Sequence, residues 1–92
     1  MQKIKEQVYN NEQLADTVRL NSMVTIKDEK ENRIMDVMVV APGKADVKQR
    51  KISVMSPIGA ALLGSRKGQK VSCKIPVGTK TLKVLDVSNT FH

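Results

Sequence analysis

The chain has almost no aromatic side chains with which to build a core. Its 92 residues include one tyrosine, one phenylalanine and no tryptophan. Tyr9 and Phe91 lie near the two ends, outside the segments with strand or helix patterns. A domain of this size buries a modest share of its surface, so it needs most of its aliphatic residues for packing. The sequence therefore predicts a single small domain with a core of valine, isoleucine, leucine and methionine.

Short apolar segments with alternating polarity predict a sheet. The segments VRLNSMVTIKD (18–28) and RIMDVMVVAP (33–42) flank the charged turn EKEN, which favours a β-hairpin. Three further strands are predicted in ISVM (52–55), KVSCKIPVG (70–78) and TLKVLDV (81–87). Pro76 indicates a sheet edge, a bulge or the end of the fourth strand. Most connections are too short for crossovers, so the pairing is expected to be mostly antiparallel.

The stretch SPIGAALLG (56–64) predicts one short helix with a cap at each end. Ser56 is a good N-cap, and Pro57 suits the first helical position. Gly64 stands where a left-handed C-terminal cap is expected. Leu62 and Leu63 are interpreted as core residues. Five strands and this helix define a small α+β domain.

The junction between the third strand and the helix is a candidate contact point. It consists of Met55, Ser56, Pro57 and Ile58 and is called the strand–helix junction below. Backbone N–H groups at such a junction can face outward. Contact with a partner and simple capping of the helix are both compatible with these residues.

The organisation predicted for the chain has three parts. Residues 1–17 form a short helical or flexible segment, residues 18–88 form the domain, and residues 89–92 form a tail. No apolar run approaches the roughly 20 residues of a membrane helix, and no signal peptide is visible. The expected location is therefore the cytoplasm.

No residue pattern predicts catalysis, a cofactor, a metal site or a small-molecule substrate. The single cysteine, Cys73, is expected to be a buried hydrophobe, and His92 is the last residue. The carboxylates of the EKEN turn region, including Asp28, are interpreted as solvated. Asp36 lies within an apolar strand and is expected to pair with a lysine or an arginine.

The net charge of +7 favours an acidic partner. No Asp or Glu occurs from residue 47 to residue 85. The candidate basic surface consists of Lys48, Arg50, Lys51, Arg66, Lys67 and Lys70. Such a surface could bind nucleic-acid phosphates weakly, but the chain lacks the aromatic platforms on which single-stranded bases stack.

Several of these motifs, in the same order, resemble the C-terminal domain of the bacterial GreA/GreB transcript cleavage factors. The resemblance is carried by ISVMSPIGAALLGSRKGQKVSCKIPVGTKTLKVLDV, and by VRLNSMVTIKDE, VVAPGKAD and KISV before it. It covers residues 18–87. The core SVMSPIGAALLG is still more similar to the relative Rnk, the regulator of nucleoside diphosphate kinase. The resemblance implies an FKBP-like α+β fold, a twisted antiparallel sheet of about five strands with one short helix packed on it.

The resemblance also implies a partner. In these factors the domain docks on RNA polymerase at the rim of the secondary channel, against a coiled-coil tip of the largest subunit. The positions here that match the docking surface are Met55, Ser56, Pro57 and Ile58, with Asp46 of GKAD as an addition. The predicted function is therefore that of a non-enzymatic polymerase-binding module that modulates transcription elongation.

Two activities of related folds are not expected. The cleavage factors carry a long N-terminal coiled coil with an acidic tip, whereas 17 residues precede the domain here. At about 1.5 Å per residue these would span roughly 25 Å as a helix, so cleavage stimulation should be absent. Prolyl isomerase activity is not expected, because no aromatic pocket can be formed. The alternatives are a basic nucleic-acid-binding module and a small domain acting on a nucleotide-metabolising enzyme.

Overall fold

Five strands and one helix form the regular structure of residues 16–89, the range that the computed structural model describes. The strands are Met23–Asp28 (β1), Arg33–Val40 (β2), Lys51–Ser53 (β3), Lys70–Ile75 (β4) and Gly78–Ser88 (β5), and the helix is Pro57–Leu62 (α1). Two 3-10 helices, Pro42–Lys44 and Val47–Gln49, lie between β2 and β3. The expectations for residues 1–15, including Tyr9, and for residues 90–92, including Phe91 and His92, fall outside this range.

The predicted α+β class, with five strands and one short helix, is confirmed. The strand order is β3-β2-β1-β5-β4. β1 pairs antiparallel with β2 and with β5, and β5 pairs antiparallel with β4. β3 is the exception to the antiparallel expectation, because it runs parallel to β2. The connection through residues 41–50, with its two 3-10 helices, brings the chain back beside Met38, so that β3 runs parallel to the last three residues of β2.

Short turns connect the strands of the two hairpins. The predicted β1–β2 hairpin is confirmed, with Asp28 opposite Arg33 at its closed end. In the β4–β5 hairpin, Ile75 stands opposite Gly78, so Pro76 and Val77 form a two-residue connection. Gly78 has φ +137°, a backbone conformation that other residues rarely adopt. Pro76 follows the last residue of an edge strand, one of the positions that the sequence allowed for it.

The core is aliphatic, as predicted. Buried residues of β1, β2 and β5 pack together with residues of β4, of α1 and of the segment before β1, and the list of core residues is Val18, Val24, Ile26, Val37, Val39, Leu62, Cys73, Leu82, Val84 and Val87. Met35 packs against this cluster, whereas Met23 and Met55 are exposed. Valine, isoleucine and leucine therefore carry the packing, and methionine contributes at the margin.

Helix α1 has the predicted caps. The Ser56 hydroxyl oxygen accepts a hydrogen bond from the Gly59 N–H at 3.0 Å, and Pro57 is the first helical residue. Gly64 has φ +84° just beyond the helix, as expected for a left-handed cap. Leu62 is fully buried, but Leu63 is 43 % exposed. The core role expected for Leu63 is wrong, because adjacent residues of a helix point in directions about 100° apart.

Asp28 is buried, so the expectation that it is solvated is wrong. It follows Val24 and Ile26 on the core-facing side of β1 and is only 2 % exposed. One carboxylate oxygen lies 3.0 Å from the Lys80 ammonium, and the other accepts hydrogen bonds from the N–H groups of Lys30 and Glu31. The Lys80 hydrogen bond and these N–H groups lower the pKa of Asp28, and Asp28 raises the pKa of Lys80.

This buried pair predicts a loss of stability in acid. Because the pKa of Asp28 is lower in the folded than in the unfolded chain, its contribution is present above the ordinary carboxyl pKa. That contribution is lost as the pH falls through the folded value. We expect the urea concentration at the midpoint of unfolding to decrease as the pH is lowered from 7 to about 3. Asp28→Asn should lower this midpoint at pH 7 and reduce its pH dependence.

Asp86→Asn is the matched control for this experiment. Asp86 pairs with Lys67 at 3.7 Å, and both side chains are more than half exposed. Exposed pairs of this kind contribute little to stability. An Asp28→Asn variant that unfolds like Asp86→Asn at every pH would contradict a stabilising role for the buried carboxylate.

The expectations for Cys73 and Asp36 compare differently with the structure. Cys73 is buried as predicted, and burial raises the pKa of its thiol. Asp36 was expected to pair with a lysine or an arginine. Instead its carboxylate accepts a hydrogen bond of 2.6 Å from the hydroxyl of Thr25, directly across the β1–β2 pair. Among residues 16–89, no lysine or arginine forms an ion pair with this acid on the exposed face of the sheet.

Candidate functional site

The strand–helix junction presents apolar side chains to the surface. Met55 is 77 % exposed, Pro57 is exposed, and Ser56 and Ile58 are half-buried. The backbone N–H of Met55 donates to the Ser53 hydroxyl, and that of Ser56 donates to the Ser53 carbonyl. These N–H groups are used within the turn, so what the junction offers a partner is mainly apolar surface.

An apolar groove of about 430 Å³ lies beside the junction and is called the junction groove. Ser56, Pro57 and Ile58 form one part of its lining. The remaining lining residues come from the β2–β3 connection, from β3 and from the end of β4: Ala45, Val47, Lys51, Ile52, Ser53, Ile75 and Pro76. Among the described residues of the lining, Lys51 is the only charged one. A groove of this composition suits apolar side chains of another protein.

Val47 is the residue that the sequence analysis missed. It is 89 % exposed and lies in the otherwise polar segment GKADVKQRK. A single valine among charged residues was the available signal, but nothing in the sequence placed it beside a helix that begins ten positions later. Ile75 and Pro76 could not be assigned to the site either, since the curvature that brings β4 towards the junction is a tertiary property.

Asp46 is hydrogen-bonded to the segment that carries two of the lining residues, Val47 and Lys51. Its carboxylate accepts a hydrogen bond of 3.0 Å from the Lys48 N–H and thereby caps the 3-10 helix that carries Val47. Its backbone N–H and carbonyl also pair with Lys51 at 2.9 Å each. Asp46 is half-buried and does not line the groove. The structure therefore gives it a positioning role for Val47 and Lys51.

The six residues of the candidate basic surface are divided between two edges of the sheet. Lys48, Arg50 and Lys51 lie at or just before β3, and Arg66, Lys67 and Lys70 lie at or just before β4. β3 and β4 are the two outer strands. At the β4 edge, Lys70 lies 3.0 Å from Glu29, and Lys67 lies 3.7 Å from Asp86. The Lys70 hydrogen bond lowers the pKa of Glu29.

Residues 16–89 show neither a metal-binding cluster nor a membrane-spanning helix. No group of three or more His, Cys, Asp or Glu residues in this range could hold a metal ion. No helix in this range is long and apolar enough to cross a bilayer. The groove beside the junction is therefore the candidate site that the geometry of these residues supports best.

A small mixed-sheet domain with an aliphatic core and an open apolar groove has the features of a protein-binding domain. The chain belongs to the GreA/GreB family of transcription elongation factors. The family described as "Transcription elongation factor, GreA/GreB, C-term" matches residues 12–89, which is most of the sequence. This match confirms the family resemblance seen in the sequence, and the greater similarity to Rnk stays a prediction.

Individual relatives agree with the family. The transcription elongation factor GreA of Caldanaerobacter subterraneus is 38 % identical over 72 residues, which cover 78 % of this chain and 46 % of that protein. GreA of Flavobacterium johnsoniae is 37 % identical over 90 residues, which cover 90 % of this chain and 57 % of that protein. The chain thus spans about half the length of the curated relatives that it matches.

The fold is also found among solved structures. The crystal structure of Thermus aquaticus Gfh1 has a TM-score of 0.71 at 35 % identity, and the match covers 82 % of this chain and 50 % of that one. GreA factor homolog 1 of Thermus thermophilus has a TM-score of 0.70 at 34 % identity over the same shares.

Proposed function

We propose that this domain binds bacterial RNA polymerase through the strand–helix junction and the junction groove. In this proposal it docks at the rim of the secondary channel, against the coiled-coil tip of the largest subunit, and modulates transcription elongation in the cytoplasm. Membership of a family of transcription elongation factors supports a partner in the transcription machinery. The observation that carries the proposal is the exposure of two apolar side chains at an apolar groove: Val47, which lines it, and Met55, which directly precedes the lining residue Ser56.

The physical basis is burial of apolar surface on a preformed site. Completely burying a methionine or valine side chain contributes about 1.5–3 kcal/mol. Met55 and Val47 are both more than three-quarters exposed before binding, so most of that contribution remains available to a partner. Pro57 and the capped first turn of α1 keep the groove wall in one conformation, which limits the entropy lost on association.

The proposed role is regulatory and non-enzymatic. The family resemblance assigns cleavage stimulation to a long coiled coil with an acidic tip, which is a part separate from this domain. We therefore expect the domain itself to bind polymerase without stimulating transcript cleavage. By occupying the rim, it would compete with other factors that use the secondary channel.

Met55→Glu should weaken polymerase binding at least about tenfold while leaving the fold intact. Met55 is exposed, so the substitution removes no core contact, but it places a charge on the apolar docking surface. Binding of the purified chain to immobilised bacterial core RNA polymerase measures the effect. Added GreA should displace the wild-type chain if both use the rim.

Leu63→Glu is the matched control. Leu63 is also an exposed apolar residue of similar size, but it directly follows the last residue of α1, outside the strand–helix junction and the groove lining. It should bind polymerase like the wild type. Wild-type chain that does not bind polymerase, or equal binding by both variants, would overturn the proposal.

The nucleic-acid alternative has less structural support. The basic residues expected to form one surface occupy two edges of the sheet, and two of them have acidic neighbours. Salt dependence separates the two hypotheses. Binding to duplex DNA should weaken with a log–log slope of about −0.9 per phosphate contacted, whereas docking on an apolar groove should be much less sensitive.

A further inference from the structure

The first half of β2 has a partner strand on one side only. β2 is 8 residues long, and on one side it pairs with β1 from Arg33 to Met38. On the other side, pairing with the short strand β3 involves only Met38, Val39 and Val40. Within residues 16–89, no strand continues this side along residues 33–37. Those five positions form an open sheet edge, called the β2 edge.

Two residues of the β2 edge, Ile34 and Asp36, direct their backbone N–H and C=O groups away from β1. The Met38 N–H donates to the Arg50 carbonyl at 2.9 Å, on the β3 side, whereas the Val39 N–H donates to Ser22 on the other side. Backbone groups alternate in direction along a strand. The N–H and C=O groups of Ile34 and Asp36 therefore face the open side, where an added strand could pair with them.

A second groove runs beside this edge. It has a volume of about 290 Å³ and is called the edge groove. Its lining is mostly apolar and consists of Arg33, Ile34, Met35, Val37, Val47, Arg50 and Ile52. Val47 and Ile52 also line the junction groove, so the two grooves adjoin. A strand paired with the β2 edge would direct every second side chain towards this groove.

Both charged residues of the edge groove are arginines. Arg33 lies 3.6 Å from Glu31, but both side chains are more than half exposed, so this pair holds the guanidinium weakly. The groove thus combines apolar walls with a positive rim. Its charge favours a ligand that carries acidic residues beside apolar ones.

Arg50 also explains why the edge is open. Its φ of +58° is left-handed and turns the chain away from β2 just before β3 begins. The other non-glycine residues with positive φ in residues 16–89 are Asn21 and Asn32, and asparagine tolerates this conformation better than arginine does. Strained residues of this kind cluster at binding sites. The position combines an unusual backbone with a side chain that lines the edge groove.

We propose that the β2 edge and the edge groove bind an extended segment of another protein in which apolar residues alternate with acidic ones. A second copy of the chain fits less well, because pairing two β2 edges would bring together arginines of two molecules with net charges of +7 each. The proposal goes beyond polymerase docking at the strand–helix junction, since it concerns the backbone of the β2 edge and the adjoining edge groove, and it does not require polymerase as the partner.

The test is an NMR titration of the isotope-labelled 92-residue chain with a model peptide, acetyl-Glu-Val-Glu-Val-Glu-Val-Glu-amide. We expect shift changes at Ile34, Asp36, Val47 and Ile52, and slower amide exchange at Ile34 and Asp36. The same peptide with lysine in place of glutamate should bind at least about tenfold more weakly. Equal binding of the two peptides, or shift changes confined to other surfaces, would overturn the proposal.

Two pairs of variants test the contacts from the protein side. Arg50→Glu should weaken peptide binding at least about fivefold, while Lys48→Glu, in the adjacent 3-10 helix but outside the edge groove, should not. Ile34→Pro removes one outward N–H at an edge position that tolerates proline, whereas Ile34→Thr keeps it. The proline variant should bind more weakly than the threonine variant.

The outcomes separate this proposal from polymerase docking. If the peptide binds at the β2 edge and the chain does not bind polymerase, only the polymerase proposal fails. If polymerase binds and Met55→Glu abolishes binding, but no acidic peptide binds at the edge, only the edge proposal fails. Edge resonances that shift with protein concentration alone would identify a second copy as the occupant and contradict an acidic partner.

Discussion

Gly59→Ala is expected to destabilise the domain by about 3 kcal/mol or more. Gly59 is buried in α1 and lies directly against the end of β3. A Cβ atom at this position would overlap the backbone carbonyl of Ser53 and crowd the Ser56 hydroxyl. The carbonyl cannot move aside alone, because it accepts hydrogen bonds from the N–H and the hydroxyl of Ser56. Helix α1 would have to withdraw from the sheet, and its N-terminal cap would be lost with it.

Urea unfolding followed by circular dichroism measures this effect. Gly43→Ala is the matched control, because a Cβ atom at Gly43 would meet nothing within 4 Å. That variant should be as stable as the wild type or slightly more stable. Gly59→Ala with a stability within about 0.5 kcal/mol of the wild type would show that α1 can shift at little cost.

The same substitution connects the fold to the proposed function. Because Gly59 fixes the distance between β3 and α1, displacing the helix would also displace Pro57 and Ile58, which line the junction groove. Gly59→Ala should therefore lose both stability and polymerase binding, whereas Met55→Glu should lose binding alone. The contrast separates damage to the fold from damage to the contact surface.

Much of the sheet could be predicted because each strand buries one face. Alternation identified β1 and β4, a β-branched apolar run identified β2, a tight turn before the last strand marked β5, and the charged turn after Asp28 identified the first hairpin. The same alternation also places Asp28 on the buried side after Val24 and Ile26. Asp28 was expected to be solvated because the turn that follows it is charged, although the two-residue alternation along β1 places it on the buried side. The pairing with Lys80 was therefore not predicted.

The direction of β3 could not be predicted from local patterns. A three-residue strand has too few positions to show a register, and its parallel pairing depends on how residues 41–50 return along β2. The same limitation applies to the β2 edge. It exists because β3 is much shorter than β2 and because Arg50 turns the chain away, and neither property is visible in apolar periodicity.

The candidate site could be predicted in part. Ser56 and Pro57 marked the start of a helix, and the resemblance pointed to the same residues as a contact surface. The groove itself required Val47, Ile75 and Pro76, which belong to segments that meet only in the folded chain. A sequence can thus indicate one wall of a groove through local capping chemistry, while the opposite wall depends on tertiary packing.

Leu62→Ala should cost about 2–5 kcal/mol, a large fraction of the roughly 5–15 kcal/mol that holds a small domain together. Leu62 is the residue by which α1 enters the core, and it is fully buried. Since residues 16–89 contain no aromatic side chain that could close over the space, truncation leaves a cavity between the helix and the sheet. Ile58 and Ala61 pack only partly against the core and cannot replace the lost contact.

The neighbouring leucine provides the control. Leu63→Ala removes the same atoms from a side chain that is 43 % exposed, so it should cost less than about 1 kcal/mol. Denaturant unfolding at pH 7 compares the two variants with the wild type, and polymerase binding measured well below each midpoint shows whether the junction survives. Similar losses of stability in both variants would contradict the prediction that burial of Leu62 holds α1 on the sheet.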